Sequence, residues 1–380
     1  MVSPLKKSLI CIVIILAISQ GLLAQGSDAS PKNYVRVAIM QDAPSLRIKV
    51  EGSYELVNPL NNEIIYTGKN LNTTATVHKD NLSLGNIKPR AGRILIRVVE
   101  TGSIVIDGRR FRGDIQLVKK DNSHLLAINQ IDLEDYVKGI LYHESSHYWP
   151  MEALKAQAVA CRTYALYQMQ KNKLKDFDLT SDIYSQVYGG RTSERYRTNR
   201  AVLETGGEML LYQGKIFPAY YHATCAGFTE DASWLWNIDV PALKGVACKF
   251  CKDSPHFNWH EVLTLDELKE KLGSSGYNIK KIKNIIILGH NISGRITDLK
   301  ITSDNGNLVI PAKDFRNIIG PNVIRSTNFN VGVVGNDVVF EGIGWGHGVG
   351  LCQWGAYFMA KQGYNYKQIL EYYYPGSEIK

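Results

Sequence analysis

One acidic residue, Glu144, lies at the junction of two predicted helices. Apolar residues three and four apart predict a helix over residues 133–141, with Asp132 as its N-cap. A second pattern opens at Pro150, a residue that suits a first helical position. A carboxyl between two packed helices is partly desolvated, which raises its pKa toward that of a useful proton donor. The alternative is a solvated turn residue without chemical function.

Two cations of the second helix are candidate substrate-binding residues. Lys155 and Arg162 are seven residues apart, so both side chains lie on one face of the helix. We expect them to hold carboxylate or acetamido groups of a substrate.

Four residues have the spacing of a metal site. His222 and Cys225 form an H-x-x-C pair, and Cys248 and Cys251 form a C-x-x-C pair farther along the chain. One imidazole and three thiolates would fill the four positions of tetrahedral zinc and leave none for water, so the predicted zinc is structural. The alternative is a disulfide in which Cys161 or Cys352 takes part.

A glycine-rich segment near the C-terminus suggests close approach by a ligand or a second backbone. Glycines alternate with larger residues from 342 to 350, which removes the side chains from one face. The other face presents Trp345 and His347, which suit a sugar ring, although a structural role for His347 is the alternative. The spacing does not fit a dinucleotide-binding loop.

Composition limits the partners and the compartment. The formal net charge of +8 suits an anionic polymer or a membrane surface, and no dense basic run with interleaved aromatics indicates nucleic acid. Lys6 and Lys7 precede an apolar run, which predicts an export signal over residues 1–24. The signal is either cleaved or kept as an anchor, the only membrane contact that we expect. The protein is therefore predicted to be periplasmic, cell-wall-associated or secreted.

The pattern of elements predicts an α+β fold. Residues 31–125 are predicted to form a β-rich antiparallel region, continuous with a mixed helical and β unit over residues 126–380. The predicted strands of the first region are VRVAIM, SLRIKV, YELVN, EIIYTG, ATVHKD, ILIRVV, SIVID, DIQLV and HLLAIN. A helix over residues 261–272 is predicted to carry a capping box of Thr264 and Glu267.

Several segments resemble the SpoIID/LytB domain family. The run LEDYVKGI…HES…YWPMEALKAQAVACRTYAL is similar to its signature, with Glu144 at the position of the family's Glu. Its neighbours are His143 and Ser145, where the family has Ala and Met. GIGWGHGVGLCQWGA resembles the family's glycine-rich motif, including the Gln at position 353. The resemblance runs from about Phe111 to the C-terminus.

The resemblance implies a lytic transglycosylase acting on peptidoglycan glycan strands, with Glu144 as acid and then base. It also indicates the segment SQVY, whose Gln186 and Tyr188 are candidates to contact sugar, with half-buried packing as the alternative for Tyr188. Trp345, His347 and Gln353 are further candidates. Some family members bind zinc near the active site through His and Cys. The competing function is a non-catalytic wall-binding protein that stimulates a separate amidase.

Overall fold

A ten-stranded sheet forms the N-terminal part of the protein. The computed structural model describes residues 34–78, 81–89, 91–99 and 102–380, so the predicted export signal over residues 1–24 lies outside the described residues. The strands are β1 Tyr34–Ala43, β2 Ser45–Asn58, β3 Glu63–His78, β4 Asn81–Leu84, β5 Arg93–Val98, β6 Ser103–Ile106, β7 Arg109–Phe111, β8 Asp114–Lys119, β9 Leu125–Asp132 and β10 Leu179–Thr180. Their main order is β10-β1-β9-β8-β5-β2-β3-β4, and β6 joins β2 to β7. All pairs are antiparallel except β1 with β10.

Two pairs of predicted strands are continuous in the structure. SLRIKV and YELVN both belong to β2, and EIIYTG and the first four residues of ATVHKD both belong to β3. Gly52, which resembles a break in the sequence, has a φ of +96° and lies where the β2–β3 register shifts. The glycine therefore accommodates a β-bulge within one strand instead of ending it.

The two predicted helices, α1 (Leu133–Glu144) and α2 (Met151–Lys171), follow β9 directly. The Asp132 side chain accepts from the backbone N–H of Glu134 at 2.9 Å, which confirms the N-cap. Pro150 is the N-cap of α2, whereas we predicted it at the first helical position, which Met151 occupies instead. Glu144 is the last residue of α1, so the helix continues to the residue that we expected in the junction.

The remaining helices and strands are short. The helices are α3 Tyr196–Glu204, α4 Ala232–Trp236, α5 Leu265–Ser274, α6 Ala312–Ile319, α7 Gln353–Lys361 and α8 Tyr366–Tyr373. The strands are β11 Leu210–Tyr212, β12 Lys215–Ile216, β13 Tyr221–His222, β14 Asn258–Thr264, β15 Ile282–Ile287, β16 Asp298–Ser303, β17 Gly306–Pro311, β18 Phe329–Val334, β19 Asp337–Ile343, β20 Leu351–Cys352 and β21 Glu378–Ile379. They form four small sheets, ordered β12-β11-β21, β13-β20, β14-β19-β18 and β15-β16-β17.

The predicted helix over residues 261–272 begins later than expected. Residues 261–264 belong to β14, because they pair with β19, and α5 starts at Leu265. The capping box is present, since Thr264 and Glu267 each accept from the other's backbone N–H.

Helix α2 connects two hydrophobic cores. Leu154, Ala158 and Cys161 pack with the large sheet and α1, whereas Val159 and Ala160 pack with α7 and α8. A third core lies among β14 to β19 with α5 and α6. Helix α2 is therefore buried on two sides, and it packs against α1, the helix that ends at Glu144. The α+β class is confirmed, and among the described residues no helix is long and apolar enough to cross a membrane.

Candidate functional site

A cleft of about 590 Å³ is open at the end of α1. Glu144 lines it and is the only acidic residue among the described residues that do so. Five of the predicted site residues line the cleft, namely Glu144, His222, Trp345, His347 and Gln353. Rings dominate the remaining lining, including Tyr164, Tyr220, Tyr221 and Trp236.

The carboxyl of Glu144 is held in surroundings that favour its neutral form. Burial raises the pKa of Glu144 to about 7, against an ordinary value of 4.5. Hydrogen bonds to the backbone N–H of Val187 and to the side chains of Tyr221 and Gln353 counteract part of this rise. The bond from Val187 N is 3.4 Å long. At neutral pH both protonation states are therefore populated, as an acid that later becomes a base requires.

A buried polar chain fixes the Tyr221 hydroxyl. Tyr136 donates from its hydroxyl to Gln186 Oε1 at 3.0 Å, and Gln186 Nε2 donates to the Tyr221 hydroxyl oxygen at 3.0 Å. The Tyr221 hydroxyl therefore keeps its proton for donation, with the carboxylate of Glu144 and the sulfur of Cys161 as its two neighbouring acceptors. The structure corrects the prediction for Gln186: its side chain is buried beneath the cleft, so it positions Tyr221 and does not line the sugar-binding surface.

The glycine-rich segment brings a second backbone against the loop around His222. A Cβ on Gly350 would lie 2.0 Å from the carbonyl oxygen of Tyr220, and one on Gly346 would lie 2.7 Å from Cβ of His222. Strands β13 and β20 pair here in parallel, with His222 opposite Cys352. The alternation of glycines therefore permits close approach by protein backbone, one of the two predicted uses.

Both cleft histidines are neutral. Burial lowers the pKa of His222 to about 3, and burial also lowers the pKa of His347 well below its ordinary value. The Nδ1 atom of His222 lies 3.1 Å from the carbonyl oxygen of Val349 and must donate, because a carbonyl only accepts. Nδ1 of His347 accepts from the N–H of Val349 at 3.1 Å.

Stacked rings provide a flat apolar surface beside the histidines. Tyr220 and Trp236 lie 4.2 Å apart between ring centroids at an interplanar angle of 28°, and Trp236 packs edge-on against His347 at 5.1 Å. Trp345 lines the same cleft and carries the guanidinium of Arg325 over its face. Such faces stack on the apolar side of a sugar ring.

Three predicted substrate-binding residues have structural positions instead. Arg162 is fully buried and forms a two-bond ion pair with Glu134, at 2.7 and 2.8 Å. Lys155 pairs with Glu204 at 2.7 Å and joins α2 to α3. The ring of Tyr188 is buried, and its hydroxyl donates to Asn129 at 2.7 Å. These corrections share one cause: each polar group has a protein partner that helical spacing alone does not identify.

Four cysteines converge next to the cleft. The sulfurs of Cys225, Cys248, Cys251 and Cys352 all lie within 4.8 Å of one another. The converging group differs from the predicted ligand set at one position, because it contains Cys352 and not His222. Nδ1 of His222 donates to the carbonyl oxygen of Val349. The buried Nε2 of His222 has no hydrogen-bond partner in the described part of the chain.

The sulfur cluster fits a tetrahedral metal better than a disulfide. All five described cysteines are free thiols, and Cys161 lies outside the cluster. The Cys225 and Cys251 sulfurs are 3.5 Å apart, whereas a disulfide bond is about 2.05 Å and two sulfurs on one zinc are about 3.7 Å apart. Cys352 Sγ also accepts from the N–H groups of Cys225 and Gly355, each at 3.3 Å, which stabilises a thiolate.

A buried arginine, Arg295, lies beside this cluster. Arg295 is 1% exposed and has no ion pair in the described residues; it donates to the carbonyl oxygens of Cys225 and Phe228, each at 3.1 Å. The charge of Glu230 acts on it most strongly, followed by those of Cys225, Cys352 and Cys251. Four thiolates on a divalent metal carry a net charge of about −2, so a cation at this position reduces the cost of burying them.

Sequence reasoning missed three groups of cleft residues. Tyr221 directly precedes His222 in a segment that the family resemblance covers, so its position in the sequence could have identified it as a candidate cleft residue. Lys313 and Arg316 lie in the segment AKDFRNIIG, whose sequence has no motif that indicates a reactive group. Nothing in the sequence indicated that Tyr220 and Trp236 stack.

Two segments of the chain match protein-family models. Residues 121–212, which include α1, α2 and Glu144, match the family described as Stage II sporulation protein, SpoIID. Residues 248–350 match a domain of unknown function, DUF8618. The chain is a member of the SpoIID family.

Curated relatives extend the similarity over most of the chain. An uncharacterized protein of Brachyspira hyodysenteriae is 35% identical over 92% of this chain and 93% of its own length. Stage II sporulation protein D of Bacillus subtilis is 30% identical over 67% of this chain and 76% of its own length. The amidase enhancer of the same organism is 28% identical over 80% of this chain, which spans 49% of that relative.

Proposed function

We propose that the protein is a lytic transglycosylase that cleaves the glycan strands of peptidoglycan. The observation that carries the proposal is a single carboxyl, Glu144, with a pKa of about 7 in a cleft lined by aromatic rings. The rings suit a carbohydrate, and the carboxyl suits proton transfer in both directions near neutral pH. Membership of the SpoIID family supports a role at the cell wall.

Glu144 acts first as an acid. The protonated carboxyl gives its proton to the glycosidic oxygen between N-acetylmuramic acid and N-acetylglucosamine, and the bond from C1 to that oxygen breaks. The 6-hydroxyl of the muramic residue then attacks C1 while Glu144 takes the hydroxyl proton. The products are an anhydro-muramyl end and a free 4-hydroxyl, and Glu144 is protonated again.

A single carboxyl suffices for this reaction because the nucleophile belongs to the substrate. Glycosidases that use water or a covalent intermediate place two carboxyls on either side of the bond. In the described part of this cleft no second acidic residue accompanies Glu144. The donors to Glu144, Tyr221 and Gln353, stabilise the carboxylate after the first proton transfer.

We further propose that Cys225, Cys248, Cys251 and Cys352 hold a structural zinc ion. Four thiolates leave no coordination position for water, so zinc supplies cross-linking of three chain segments and no catalytic hydroxide. Cys352 directly precedes Gln353, a hydrogen-bond partner of Glu144, which connects this cross-link to the catalytic carboxyl.

The cell-wall substrate requires an exported protein. The basic and apolar N-terminal sequence over residues 1–24 supports export through a cleaved signal or a retained anchor. The partner is peptidoglycan, with a wall amidase as partner only under the competing function.

Digestion of purified wall glycan tests the proposal. The protein is incubated with intact and with peptide-stripped glycan, and mass spectrometry measures anhydro-muramyl ends. We expect these ends from at least one substrate, without new reducing ends. An absence of fragments from both substrates, together with faster release of stem peptides by an added amidase, would support the enhancer function suggested by one relative's name.

A further inference from the structure

Helix α6 places two cations in the lining of the cleft, Lys313 and Arg316. Lys313 Nζ donates to the carbonyl oxygen of Leu235 at 2.9 Å. Arg316 donates from Nε to the carbonyl oxygen of Arg325 at 3.3 Å and from Nη2 to that of Pro321 at 3.5 Å. Neither cation has an ion pair with a carboxylate in the described residues.

The surroundings of Arg316 leave a positive charge without compensation. Burial lowers the pKa of Arg316 to about 10, and the nearby charge of Arg295 adds to this effect, yet the group remains a cation at neutral pH. A partly buried cation without a counter-ion costs free energy, and carbonyl oxygens offset that cost only in part. A bound anion would supply the missing charge.

The hydrogen bonds from Arg316 to the loop after α6 do not use all the donors of its guanidinium. Both of its carbonyl contacts are at the long end of the hydrogen-bond range. Its Nη1 forms no hydrogen bond with any residue that the structure describes. The planar guanidinium therefore keeps a donor for a ligand in the cleft, in the geometry that matches a carboxylate.

We infer that Arg316, assisted by Lys313, forms a subsite for a carboxylate carried by the glycan. This subsite rests on the proposed function, since it assigns specificity within the same cleft. The positive charge of Arg316 acts on His347, and both residues line the same cleft as Glu144, so the carboxylate is bound in the cleft that holds the glycan.

Two parts of peptidoglycan can supply this carboxylate. One is the lactyl group of muramic acid, which is free only where the stem peptide has been removed. The other is a free carboxyl of the stem peptide itself. Both present the same planar anion to the guanidinium, and the choice between them decides whether the enzyme prefers stripped or intact strands.

Equilibrium binding to full-length protein in a Glu144→Gln background tests the subsite without turnover. Arg316→Gln and Arg316→Lys are compared with Arg47→Gln, a control at an exposed residue of β2. The ligands are soluble peptide-stripped glycan, the same glycan with its carboxyls converted to neutral methylamides, and glycan with intact stems. Thermal melting checks that each variant is folded.

We expect Arg316→Gln to weaken binding of at least one carboxylate-bearing glycan about 10- to 100-fold, and Arg316→Lys to weaken it less. The methylamide glycan should bind with equal affinity whether residue 316 is Arg or Gln. Arg47→Gln should leave the affinity for every glycan unchanged. An effect confined to stripped strands identifies the lactyl source, and one confined to intact strands identifies the stem.

Two results would overturn the inference. One is equal weakening by Arg316→Gln for charged and neutral glycan, which indicates a structural role. The other is an Arg316→Gln variant that binds every glycan as tightly as the Glu144→Gln parent, or a parent that binds no glycan. Arg316-dependent binding, combined with a wild-type protein that yields no anhydro-muramyl ends, would instead refute the proposed function and leave the carboxylate subsite intact.

Discussion

At the residue scale, the chemistry of Glu144 depends on a balance between burial and hydrogen bonding. Burial raises its pKa and the donors Val187, Tyr221 and Gln353 lower it, with the result near 7. If burial acted alone, the carboxyl would be a weak acid in the first step. If the donors dominated, it would be ionised before the substrate arrived.

Removal of one donor should move this balance in a known direction. In Tyr221→Phe the carboxylate loses a hydrogen bond, so the pKa of Glu144 rises above 7. Since the first step needs the protonated form, the alkaline limb of kcat/KM should move up by about one pH unit. The measurement is the pH profile of glycan cleavage, with Tyr148→Phe, an exposed tyrosine, as control. An unchanged or lowered limb would contradict the assigned hydrogen bond.

The raised pKa of Glu144 also affects stability. The folded state holds the proton more tightly than the unfolded state, with pKa values of about 7 and 4.5. This contribution to stability is complete below pH 4.5 and is lost as the pH rises through 7. Glu144→Gln stays neutral, so it should be more stable than the wild type above pH 7, by up to about 3 kcal/mol.

Denaturant unfolding at pH 4, 6 and 8.5 measures this difference. The difference in unfolding free energy between Glu144→Gln and the wild type should disappear at pH 4. Glu341→Gln, an exposed control in β19, should differ from the wild type by the same amount at every pH. A Glu144→Gln variant that is less stable than the wild type at pH 8.5 would show that the carboxylate is well accommodated.

At the element scale, the β13–β20 pair joins the sulfur cluster to the cleft. It aligns His222 with Cys352, and the next residue is Gln353, a partner of Glu144. Loss of the proposed zinc ion should therefore displace Gln353 and lower activity indirectly.

The corrected ligand set gives a direct test of the metal proposal. Protein purified without added zinc should contain about one zinc per chain. Cys352→Ser should lose most of it, whereas His222→Gln should retain it, because the histidine lies outside the four-sulfur cluster. Elemental analysis and thiol titration measure both. Loss of zinc in His222→Gln with retention in Cys352→Ser would restore the original assignment.

Helical and strand periodicity predicted the elements better than the partners of their side chains. The apolar spacing of α1 and the Asp132 cap identified the helix that ends at Glu144, since both depend on neighbours in sequence. Arg162 and Glu134 are ion-paired across 28 residues, and Cys352 joins Cys225 across 127. Such contacts depend on how elements pack, which local spacing does not determine.

At the scale of the whole molecule, the large sheet and the helical unit depend on each other. The predicted boundary between residues 125 and 126 falls at the start of β9, which pairs with β8 and β1. Arg112, next to β8, also forms a two-bond ion pair with Glu194, at 2.6 and 3.0 Å. The described residues belong to one compact unit.

Deletion of the sheet should therefore prevent folding of the remainder. A chain that starts at residue 120 leaves β9 without its partners and exposes the apolar faces of α1 and α2. We expect no cooperative unfolding transition, in contrast to a chain that starts at residue 33. Circular dichroism during thermal unfolding measures this, and a folded, active fragment would contradict the interdependence.

The most direct test of the central claim is product analysis with Glu144→Gln. The amide keeps the shape of the side chain and cannot exchange the proton, so anhydro-muramyl ends from wall glycan should fall at least about 100-fold. Glu341→Gln should release them at the wild-type rate. Undiminished release by a folded Glu144→Gln variant would contradict the assignment of Glu144 as the catalytic acid and base.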